Sequence, residues 1–380
     1  MDGDRMRIAI LSPWAVSSTA VGGTERFVLD LAQAFKNLNN EVDVYMLSGE
    51  NHITNGINFI NLKIAETDDY IDEYTLAKLF GDFSDASTYE KIGDMLEKLI
   101  DVGKYDVIQL NSQLFLRAWK NKKRIFTIHT NPFEYELSFG KGSFDTMLKI
   151  MKEEANFNTT FVAPSSHYTK IYEDLTSLTI HTIPHAIDVR RLISNKDKIA
   201  ILNDMNLSDN LINILLPSRL EPIQKQPMLF MKAFSKVDKE IINKYQVICT
   251  GLDKQYEQYA KDIEDFCYEN NINLRITRFD SMADAYEIAD LIVLPSQSES
   301  FGYSALEALS LGIPTILNSI PTYLEIAYRS KNSFTFNNDE KTLKSIIEKV
   351  FQTKLERIEQ NEEWQRQYDL KLFGERYLNL

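Results

Sequence analysis

The chain has 380 residues, a hydrophobic content of 44%, a charged content of 26% and a formal net charge of −13. This length suits two domains of ordinary size, and the composition is typical of a globular protein. The acidic balance argues against nucleic acid or an anionic membrane as the main partner, because both are negatively charged.

Short apolar runs alternate with amphipathic runs in the first half of the chain. RIAILS predicts a buried strand, and a Gly-Gly turn then leads into the helical pattern TERFVLDLAQAFKNL. Further strands are predicted for EVDVYML, YDVIQL, RIFTIH, TTFVA and LTIHTI. Such an alternation predicts a parallel sheet with helices on both faces.

A second series of strands follows at INILLPS, YQVICTG, INLRIT, DLIVLPS and IPTILNS. The changeover lies in the segment IPHAIDVRRLISNKDK, so we place the first domain at residues 1–190 and the second at 191–364. The fold class is therefore α/β, with two Rossmann-like, doubly wound domains. Ligands of such sheets bind beyond the carboxyl ends of the strands, so the cleft between the domains is the expected active site.

Three segments stand outside this alternation. Residues 66–100 are acidic and mostly helical in pattern, which fits either a surface helical pair or an elaboration near an acceptor. The segment RAWKNKKR, from Arg117 to Arg124, fits either a solvated loop or a contact with phosphate or lipid headgroups. The tail predicts one charged helix whose aromatic stripe belongs to the core, namely Trp364, Tyr368, Phe373 and Tyr377.

Two glutamates eight positions apart follow the predicted strand LIVLP. Glu299 lies in the turn, and Ser300, Phe301 and Gly302 are expected to open the helix that carries Glu307 about one turn in. Free backbone amides at a helix start favour a bound diphosphate. A carboxylate such as Glu307 can accept the two hydroxyls of a ribose, and a sugar nucleotide is long enough to contact both glutamates.

Two cations follow the first strand of the second domain. Arg219 and Lys225 lie in a loop between that strand and a helix, at the same strand-end surface as Glu299. Together they can neutralise a diphosphate and stabilise it as a leaving group. Elsewhere on a surface, such residues would be ordinary solvated charges.

The first domain offers a glycine turn and a histidine. GGTER, from Gly22 to Arg26, lacks the spacing of a dinucleotide fingerprint, so it is either a structural turn or a close backbone approach to a phosphate or acceptor. His129 ends the strand RIFTIH and faces the expected cleft, which favours contact with a ligand over a purely structural role.

No cofactor or metal is expected from the sequence. The two cysteines and the remaining histidines lack convincing ligand spacing, and the tripeptide Asp2-Gly3-Asp4 lies at the extreme N-terminus. The N-terminus has no signal-peptide pattern, and no apolar run approaches the roughly 18 residues of a membrane span. We therefore expect a cytoplasmic protein, with RAWKNKKR leaving a weak peripheral contact with the inner face of the membrane open.

Motifs along nearly the entire chain resemble the GT-B retaining glycosyltransferases of family 4. They include GGTERFVLDLAQAF, TIHTNP, VAPSSHYTKIY, PSRLEPIQKQP and, above all, PSQSESFGYSALEALSLGIPTI. The resemblance implies two Rossmann-like domains facing across a cleft, with the acceptor on the first and the nucleotide sugar on the second. It also implies that a C-terminal helix at residues 365–380 crosses back to the first domain.

The resemblance implies roles for individual residues. Arg219, Lys225 and Gly23 would contact the diphosphate, Glu307 the ribose, and the backbone from Ser300 to Tyr303 the sugar and phosphate. His129 and Glu299 would face the transferred sugar as the catalytic pair. Two departures are His185-Ala186, where the family commonly has Asn-Gly, and Asp280 in place of a glycine.

The expected activity is a retaining, metal-independent transfer from a nucleoside-diphosphate sugar to an acceptor hydroxyl in glycan or glycoconjugate biosynthesis. A UDP-sugar is favoured over a GDP-sugar. The acceptor could be a glycan, a lipid-linked glycan, a protein or a small molecule, and nucleic acid is not expected. Two alternatives remain open at this point: a sugar-nucleotide epimerase of the same architecture, and a non-catalytic partner of an active transferase.

Overall fold

The chain folds as two compact units. The computed structural model describes residues 5–16, 22–64, 73–132 and 135–380. Unit 1 comprises residues 1–186 and 367–380, and unit 2 comprises residues 187–366. The boundaries expected from the sequence, after residues 190 and 364, lie a few residues from these limits. Asp2-Gly3-Asp4 lies outside the described residues.

Unit 1 is built on a sheet of eight strands in the spatial order β3-β4-β2-β1-β5-β6-β7-β8, as far as the described residues show. Every neighbouring pair is parallel except β3 with β4. The strands are β1 Arg7–Ser12, β2 Glu41–Met46, β3 His52–Thr54, β4 Ile57–Asn61, β5 Val107–Leu110, β6 Arg124–Thr127, β7 Thr159–Ala163 and β8 Ile180–Thr182.

The helices of unit 1 cover both faces of this sheet, which explains why its central strands read as continuous apolar runs. Ile8, Ala9 and Ile10 of β1, for example, are fully buried. The helices are α1 Gly23–Asn37, α2 Glu73–Phe80, α3 Ala86–Leu99, α4 Tyr135–Phe139, α5 Ser143–Glu154 and α6 Ser166–Thr176, with a 3₁₀ turn at Gln113–Phe115.

The β3–β4 hairpin was not predicted from the sequence. Its strands are joined by Asn55 and Gly56, which have φ angles of 53° and 72°. An Asn-Gly pair suits such a two-residue turn, because both positions need a positive φ. The signal was therefore present in the sequence, but the flanking strands are too short and too polar to stand out.

Helices α2 and α3 occupy most of the acidic segment 66–100, of which residues 66–72 lie outside the described part. Asp85 caps α3, because its side chain accepts a hydrogen bond from the Ser87 amide at 2.8 Å. Tyr89, Ile92 and Leu96 are fully buried in the core of unit 1. These helices are thus part of the folded core rather than a surface addition.

Unit 2 is built on a sheet of six strands in the order β11-β10-β9-β12-β13-β14, with all neighbouring pairs parallel. Five of these strands were predicted, whereas β14 was missed because its short run alternates with polar residues. The strands are β9 Ile212–Arg219, β10 Tyr245–Gly251, β11 Leu274–Ile276, β12 Leu291–Leu294, β13 Thr315–Asn318 and β14 Ser333–Phe336.

The helices of unit 2 connect these strands as in a doubly wound fold. They are α7 Lys198–Asp204, α8 Pro227–Phe234, α9 Lys239–Ile242, α10 Glu257–Glu269, α11 Met282–Ile288, α12 Tyr303–Ser310, α13 Pro321–Ala327, α14 Glu340–Phe351 and α15 Glu362–Gln367, with 3₁₀ turns at Val189–Leu192 and Lys254–Tyr256.

The tail is not the single helix that its charge pattern predicted. Residues 354–361 are not helical, and α15 is separate from α16 at Leu370–Leu378. Asp369 starts the new helix, since its side chain accepts a hydrogen bond from the Leu372 amide at 2.9 Å. The four aromatic residues of the stripe are buried as expected.

Helix α16 belongs to unit 1 and packs against α1. Gly374 permits this close approach, because a Cβ atom there would lie 3.1 Å from the Cβ of Ala34. The hydroxyl of Tyr377 lies 2.9 Å from Oγ1 of Thr127 at the end of β6. The last helix therefore completes the first domain, as the GT-B resemblance implies.

The two arginines of RAWKNKKR are not solvated, as one interpretation of that segment would have them, but form buried ion pairs. Arg117 Nη1 lies 2.6 Å from Glu154 Oε1, and Arg124 Nη2 lies 2.8 Å from Glu154 Oε2. Arg124 and Glu154 are completely buried, and Arg117 also pairs with Glu90 at 2.9 Å. Buried charges must be paired in this way, so the two arginines and Glu154 form an internal ion cluster. Lys122 and Lys123 of the same segment are partly exposed.

None of the helices in the described residues is both long and apolar enough to cross a membrane.

Candidate functional site

The carboxyl edge of the unit 2 sheet gathers the loops that follow β9 and β12. These strands are parallel neighbours at the centre of the sheet, so their carboxyl ends meet. The two loops are tied together, because the Gln297 amide donates to the carbonyl of Gln224 at 2.7 Å. The side chain of Gln224 also donates to the carbonyl of Ser298 at 3.3 Å. Residues on both loops therefore have fixed relative positions.

An ion pair joins these two loops. Lys225 Nζ lies 2.6 Å from Glu299 Oε1, and their side chains are 14% and 15% exposed. A charge pair with this little exposure is poorly screened by water, so its geometry is well defined. The structure thus brings together two of the residues that the sequence singled out for one ligand.

Glu221 shapes the loop that carries Lys225, and the sequence analysis missed it. Its carboxylate accepts hydrogen bonds from the amides of Ile223 at 2.9 Å, Gln224, and Lys225 at 3.0 Å. A side chain that caps three successive amides holds the backbone in one conformation. The only sequence signal for this role is an acidic residue directly before a proline in a turn.

Tyr323, on α13, is a second partner of Glu299 that was not predicted. Its hydroxyl lies 3.0 Å from Glu299 Oε1 and 3.2 Å from Oγ of Ser296. The tyrosine is completely buried. Burial and the nearby charge of Glu299 raise the pKa of Tyr323 well above its ordinary value. The phenol therefore keeps its proton and serves as a hydrogen-bond donor.

Gly302 is required by the packing of Tyr323. It has a φ of 101°, and a Cβ atom there would lie 2.6 Å from Cε1 of the tyrosine ring. Any other residue would therefore be strained and would also displace the ring. The glycine that the sequence assigned to ligand approach thus also makes room for Tyr323.

Helix α12 begins at Tyr303, so Ser300, Phe301 and Gly302 precede the helix rather than form its first turn. Phe301 and Tyr303 are mostly buried, while Ser300 is half-buried. Ser304 Oγ donates to the carbonyl of Pro217 at 3.2 Å and ties the helix to β9. The start of α12 therefore lies beside the carboxyl end of the central strand.

Glu307 lies on the buried face of α12 and is only 1% exposed. The hydroxyl of Tyr286, on α11, donates to its Oε2 at 2.5 Å. A buried carboxylate needs such donors, because desolvation without hydrogen bonds is costly. Each of the two predicted glutamates is therefore held by a tyrosine from another helix.

Arg219 is the last residue of β9 and is exposed at the same edge. Strand pairing with β10 shifts register there, between Cys249 and Gly251. Gly251 permits this irregularity, because a Cβ atom would lie 2.2 Å from the carbonyl oxygen of Ser218. Arg219 thus lies at the carboxyl end of a central strand, but it is not part of the ion pair of Lys225 with Glu299.

Unit 1 has its own set of polar residues at the carboxyl edge of its sheet. His129 lies two residues beyond β6, and its Nε2 is 3.3 Å from Oδ1 of Asn111, which follows β5. The Asn111 amide donates to the carbonyl of Leu11 at 2.9 Å, which turns its oxygen toward the histidine. The pattern of hydrogen bonds therefore assigns the ring proton of His129 to Nε2 and leaves Nδ1 as an acceptor.

The surroundings of His129 are aromatic. The ring of Phe27, on α1, lies 4.6 Å from the rings of both His129 and His185, and the two histidine rings are 5.7 Å apart. Burial lowers the pKa of His129 to about 3, and it lowers the pKa of His185 well below its usual range. Both imidazoles are therefore neutral near pH 7. His185, which stands where the family commonly has asparagine, thus contributes its ring to an aromatic cluster with Phe27 and His129.

Gly23 is the first residue of α1 and is exposed. Gly22 before it has a φ of −80°, an extended conformation that does not demand glycine. Residues 17–21 lie outside the described residues. The position of Gly23 is therefore given by the start of α1 alone. Within the described ranges, no three histidine, cysteine or acidic side chains form a metal-binding group.

Two Rossmann-like units, each built on a largely parallel sheet and the first completed by the C-terminal helix, are the fold of the GT-B glycosyltransferases. The sequence models of two families agree with this class. The model described as "Glycosyltransferase Family 4" matches residues 21–191, and the model "Glycosyl transferases group 1" matches residues 197–367. The chain belongs to the group 1, family 4 glycosyltransferases.

Similar proteins extend over the same length. An uncharacterized glycosyltransferase of Methanocaldococcus jannaschii is 24% identical over 357 residues, which cover 86% of this chain and 84% of the relative. Sucrose-phosphate synthase of Thermosynechococcus elongatus has a similar fold, with a TM-score of 0.71, 18% identity, and coverage of 99% of this chain and 95% of that chain. HepE of Anabaena, in complex with UDP and glucose, gives a TM-score of 0.70, 16% identity and 99% coverage of both chains.

Proposed function

We propose that this glycosyltransferase transfers a sugar from a nucleoside-diphosphate sugar to an acceptor hydroxyl, with retention of anomeric configuration and without a metal. The observation that carries the proposal is the ion pair of Lys225 with Glu299 beside the start of α12. It places a cation, a carboxylate and a helix start around one strand-end surface. These are the groups that a diphosphate attached to a sugar requires.

The leaving group is stabilised by positive charge in this proposal. Lys225 and Arg219 contact the diphosphate, and the backbone from Ser300 to Tyr303 supplies amide donors at the start of α12. Positive groups that are already in place stabilise the charge that develops on the departing nucleoside diphosphate. They provide the neutralisation that other transferases obtain from a divalent cation.

The two glutamates bind different parts of the donor. Glu307, buried and held by Tyr286, accepts the hydroxyls of the ribose, while Glu299 accepts a hydroxyl of the transferred sugar. The acceptor hydroxyl attacks the anomeric carbon from the face that the diphosphate leaves, and the leaving phosphate takes its proton. The anomeric bond breaks toward the phosphate oxygen, which carries away the electron pair. Retention follows from attack on the same face.

The first unit contributes neutral contacts. His129 offers Nδ1 as a hydrogen-bond acceptor to a sugar hydroxyl, because its Nε2 proton is directed to Asn111. An uncharged imidazole contacts a hydroxyl without competing for the diphosphate. Gly23 approaches the diphosphate through its backbone.

A UDP-sugar is the favoured donor, and HepE in complex with UDP and glucose supports a donor of this class. The acceptor hydroxyl belongs to a glycan, a lipid-linked glycan, a protein or a small molecule. The reaction then serves glycan or glycoconjugate synthesis on the cytoplasmic side.

The test is a transfer assay in which UDP-, GDP- and ADP-sugars are offered with a panel of acceptors and with water alone. We expect one donor to be consumed at the same rate with and without EDTA. NMR of the first product formed should show the anomeric configuration of the donor. An inverted product or loss of activity in EDTA would refute retention or metal independence respectively.

The same assay separates the two alternatives. Conversion of the donor to an epimer in the absence of acceptor would identify an epimerase instead. A wild-type protein that binds none of the donors would favour a non-catalytic partner subunit.

A further inference from the structure

We propose that Tyr323 is a positioning residue that aims Glu299 at the transferred sugar. This inference rests on the proposed role of Glu299 as the carboxylate that contacts the donor sugar. It concerns a residue that follows Glu299 by 24 positions and lies on a different helix, α13. Its contact with the donor is indirect, through the carboxylate.

The direction of the hydrogen bonds follows from the number of protons. The Tyr323 hydroxyl has one proton and two oxygen neighbours, Glu299 Oε1 at 3.0 Å and Ser296 Oγ at 3.2 Å. Both are acceptors for the tyrosine proton, and the ionised carboxylate is the closer and stronger one, so the tyrosine donates to Glu299. The Ser296 hydroxyl is a second, more distant acceptor beside the same phenol.

Glu299 is then held from two directions at a single oxygen. Lys225 Nζ, at 2.6 Å, and the Tyr323 hydroxyl both contact Oε1. Two donors on one oxygen fix the rotation of the carboxylate, whereas the lysine alone sits on a long and flexible side chain. Oε2 is consequently the oxygen that is offered to a sugar hydroxyl.

The tyrosine itself is fixed by packing. It is completely buried, and its ring occupies the space in front of Gly302, where a Cβ atom would be 2.6 Å from Cε1. A rigid ring of this kind can support a neighbouring functional group within a fraction of an ångström. Gly302 thus provides the space in which the ring is held.

The experiment compares Tyr323→Phe with a matched change, Tyr286→Phe. Each removes one buried hydroxyl that donates to one of the two glutamates. For Tyr323→Phe we expect kcat to fall about tenfold while the Kd for the free nucleoside diphosphate changes less than about twofold. For Tyr286→Phe we expect the opposite, a nucleotide Kd raised about tenfold with a smaller change in kcat.

A double-mutant cycle with Glu299→Gln tests whether Tyr323 acts through the glutamate. In the Glu299→Gln background, Tyr323→Phe should change kcat by less than about twofold, because the oriented group is already lost. Equal losses in both backgrounds would overturn the proposal. A Tyr323→Phe protein that loses nucleotide affinity and thermal stability in parallel with kcat would also overturn it, since that pattern marks a structural residue.

Binding of the intact donor separates this proposal from the proposed function. The ratio of the Kd for the nucleoside diphosphate to the Kd for its sugar conjugate measures the contribution of the sugar. If the wild type shows no transfer and no such contribution, the proposed function fails. If the wild type shows both and Tyr323→Phe keeps both, only the positioning role fails.

Discussion

The two units present chemically different surfaces at the carboxyl edges of their sheets. In unit 2, Lys225 and Glu299 form a little-exposed ion pair, with Arg219 exposed at the same edge. In unit 1, His129 is hydrogen-bonded to Asn111 and packed against the ring of Phe27. The groups at these two positions are therefore charged around Glu299 in unit 2 and neutral around His129 in unit 1.

This difference assigns separate tasks to the units in our account. A diphosphate carries negative charge and needs cations and amides, which the second unit supplies. A hydroxyl of the sugar or the acceptor can be bound by a neutral acceptor as well as by a carboxylate, and the first unit supplies such a neutral acceptor in His129. Substitutions at the charged edge should therefore have larger effects than substitutions at the neutral edge.

The largest effect is expected from Glu299→Gln. This change keeps the shape of the side chain but removes the charge that pairs with Lys225. We expect kcat to fall about a hundredfold, because an interaction with the reacting sugar is lost, and the Kd for the free nucleotide to stay within about threefold. Steady-state kinetics and calorimetry measure the two quantities. Loss of nucleotide binding with unchanged kcat would reverse the assignment.

A smaller effect is expected from Lys225→Gln. Removal of this cation should raise the Kd for the nucleoside diphosphate about tenfold, because a charge-assisted contact with phosphate is lost. The Kd of the variant should also depend less on salt than that of the wild type. Lys232→Gln, at an exposed position on α8, is the matched control. If both variants bound the nucleotide equally well, Lys225 would not contact the diphosphate.

The smallest effect concerns stability and tests the neutral edge. The folded protein protonates His129 only near pH 3, whereas an unfolded chain does so near pH 6.5. Between these values unfolding takes up a proton, so the free energy of unfolding falls as the pH falls. His185 adds to the loss in the same direction.

His129→Asn should flatten this dependence without abolishing it. A single proton contributes at most about 1.4 kcal/mol per pH unit, and removal of His129 leaves the contribution of His185. Urea unfolding at pH 7.5 and pH 5 measures the difference. An unchanged pH dependence in the variant would mean that His129 is not held neutral by the fold.

Much of the fold was predictable, because strands buried on both faces are apolar throughout and their alternation with helices is regular. The proximity of Lys225 to Glu299 was also predictable, since each follows one of two strands that a doubly wound sheet places side by side. The hairpin at Asn55-Gly56 was missed because its strands are short. The break before α16 was missed because the charged helical pattern continues without interruption from α15 into α16. Asp369, which caps the start of α16, looks like one more charged residue of that pattern.

The supporting residues of the site were not predictable. Tyr323 follows Glu299 by 24 positions, and a tyrosine on an amphipathic helix resembles any other core residue. The arginines of RAWKNKKR looked solvent-exposed because Glu154, which neutralises them, lies thirty positions beyond Arg124. Sequence patterns indicate where elements lie, but long-range partners become visible only after packing.

The central claim is that the charged edge of the second unit binds a nucleoside diphosphate. Calorimetric titration of the protein with UDP, GDP and ADP tests it most directly. We predict that one of them, with UDP favoured, binds with one site per chain, and that Glu307→Gln raises its Kd about tenfold while His129→Asn does not. Failure of the wild-type protein to bind any of the three nucleotides, or equal affinities of the wild type and Glu307→Gln, would contradict the account.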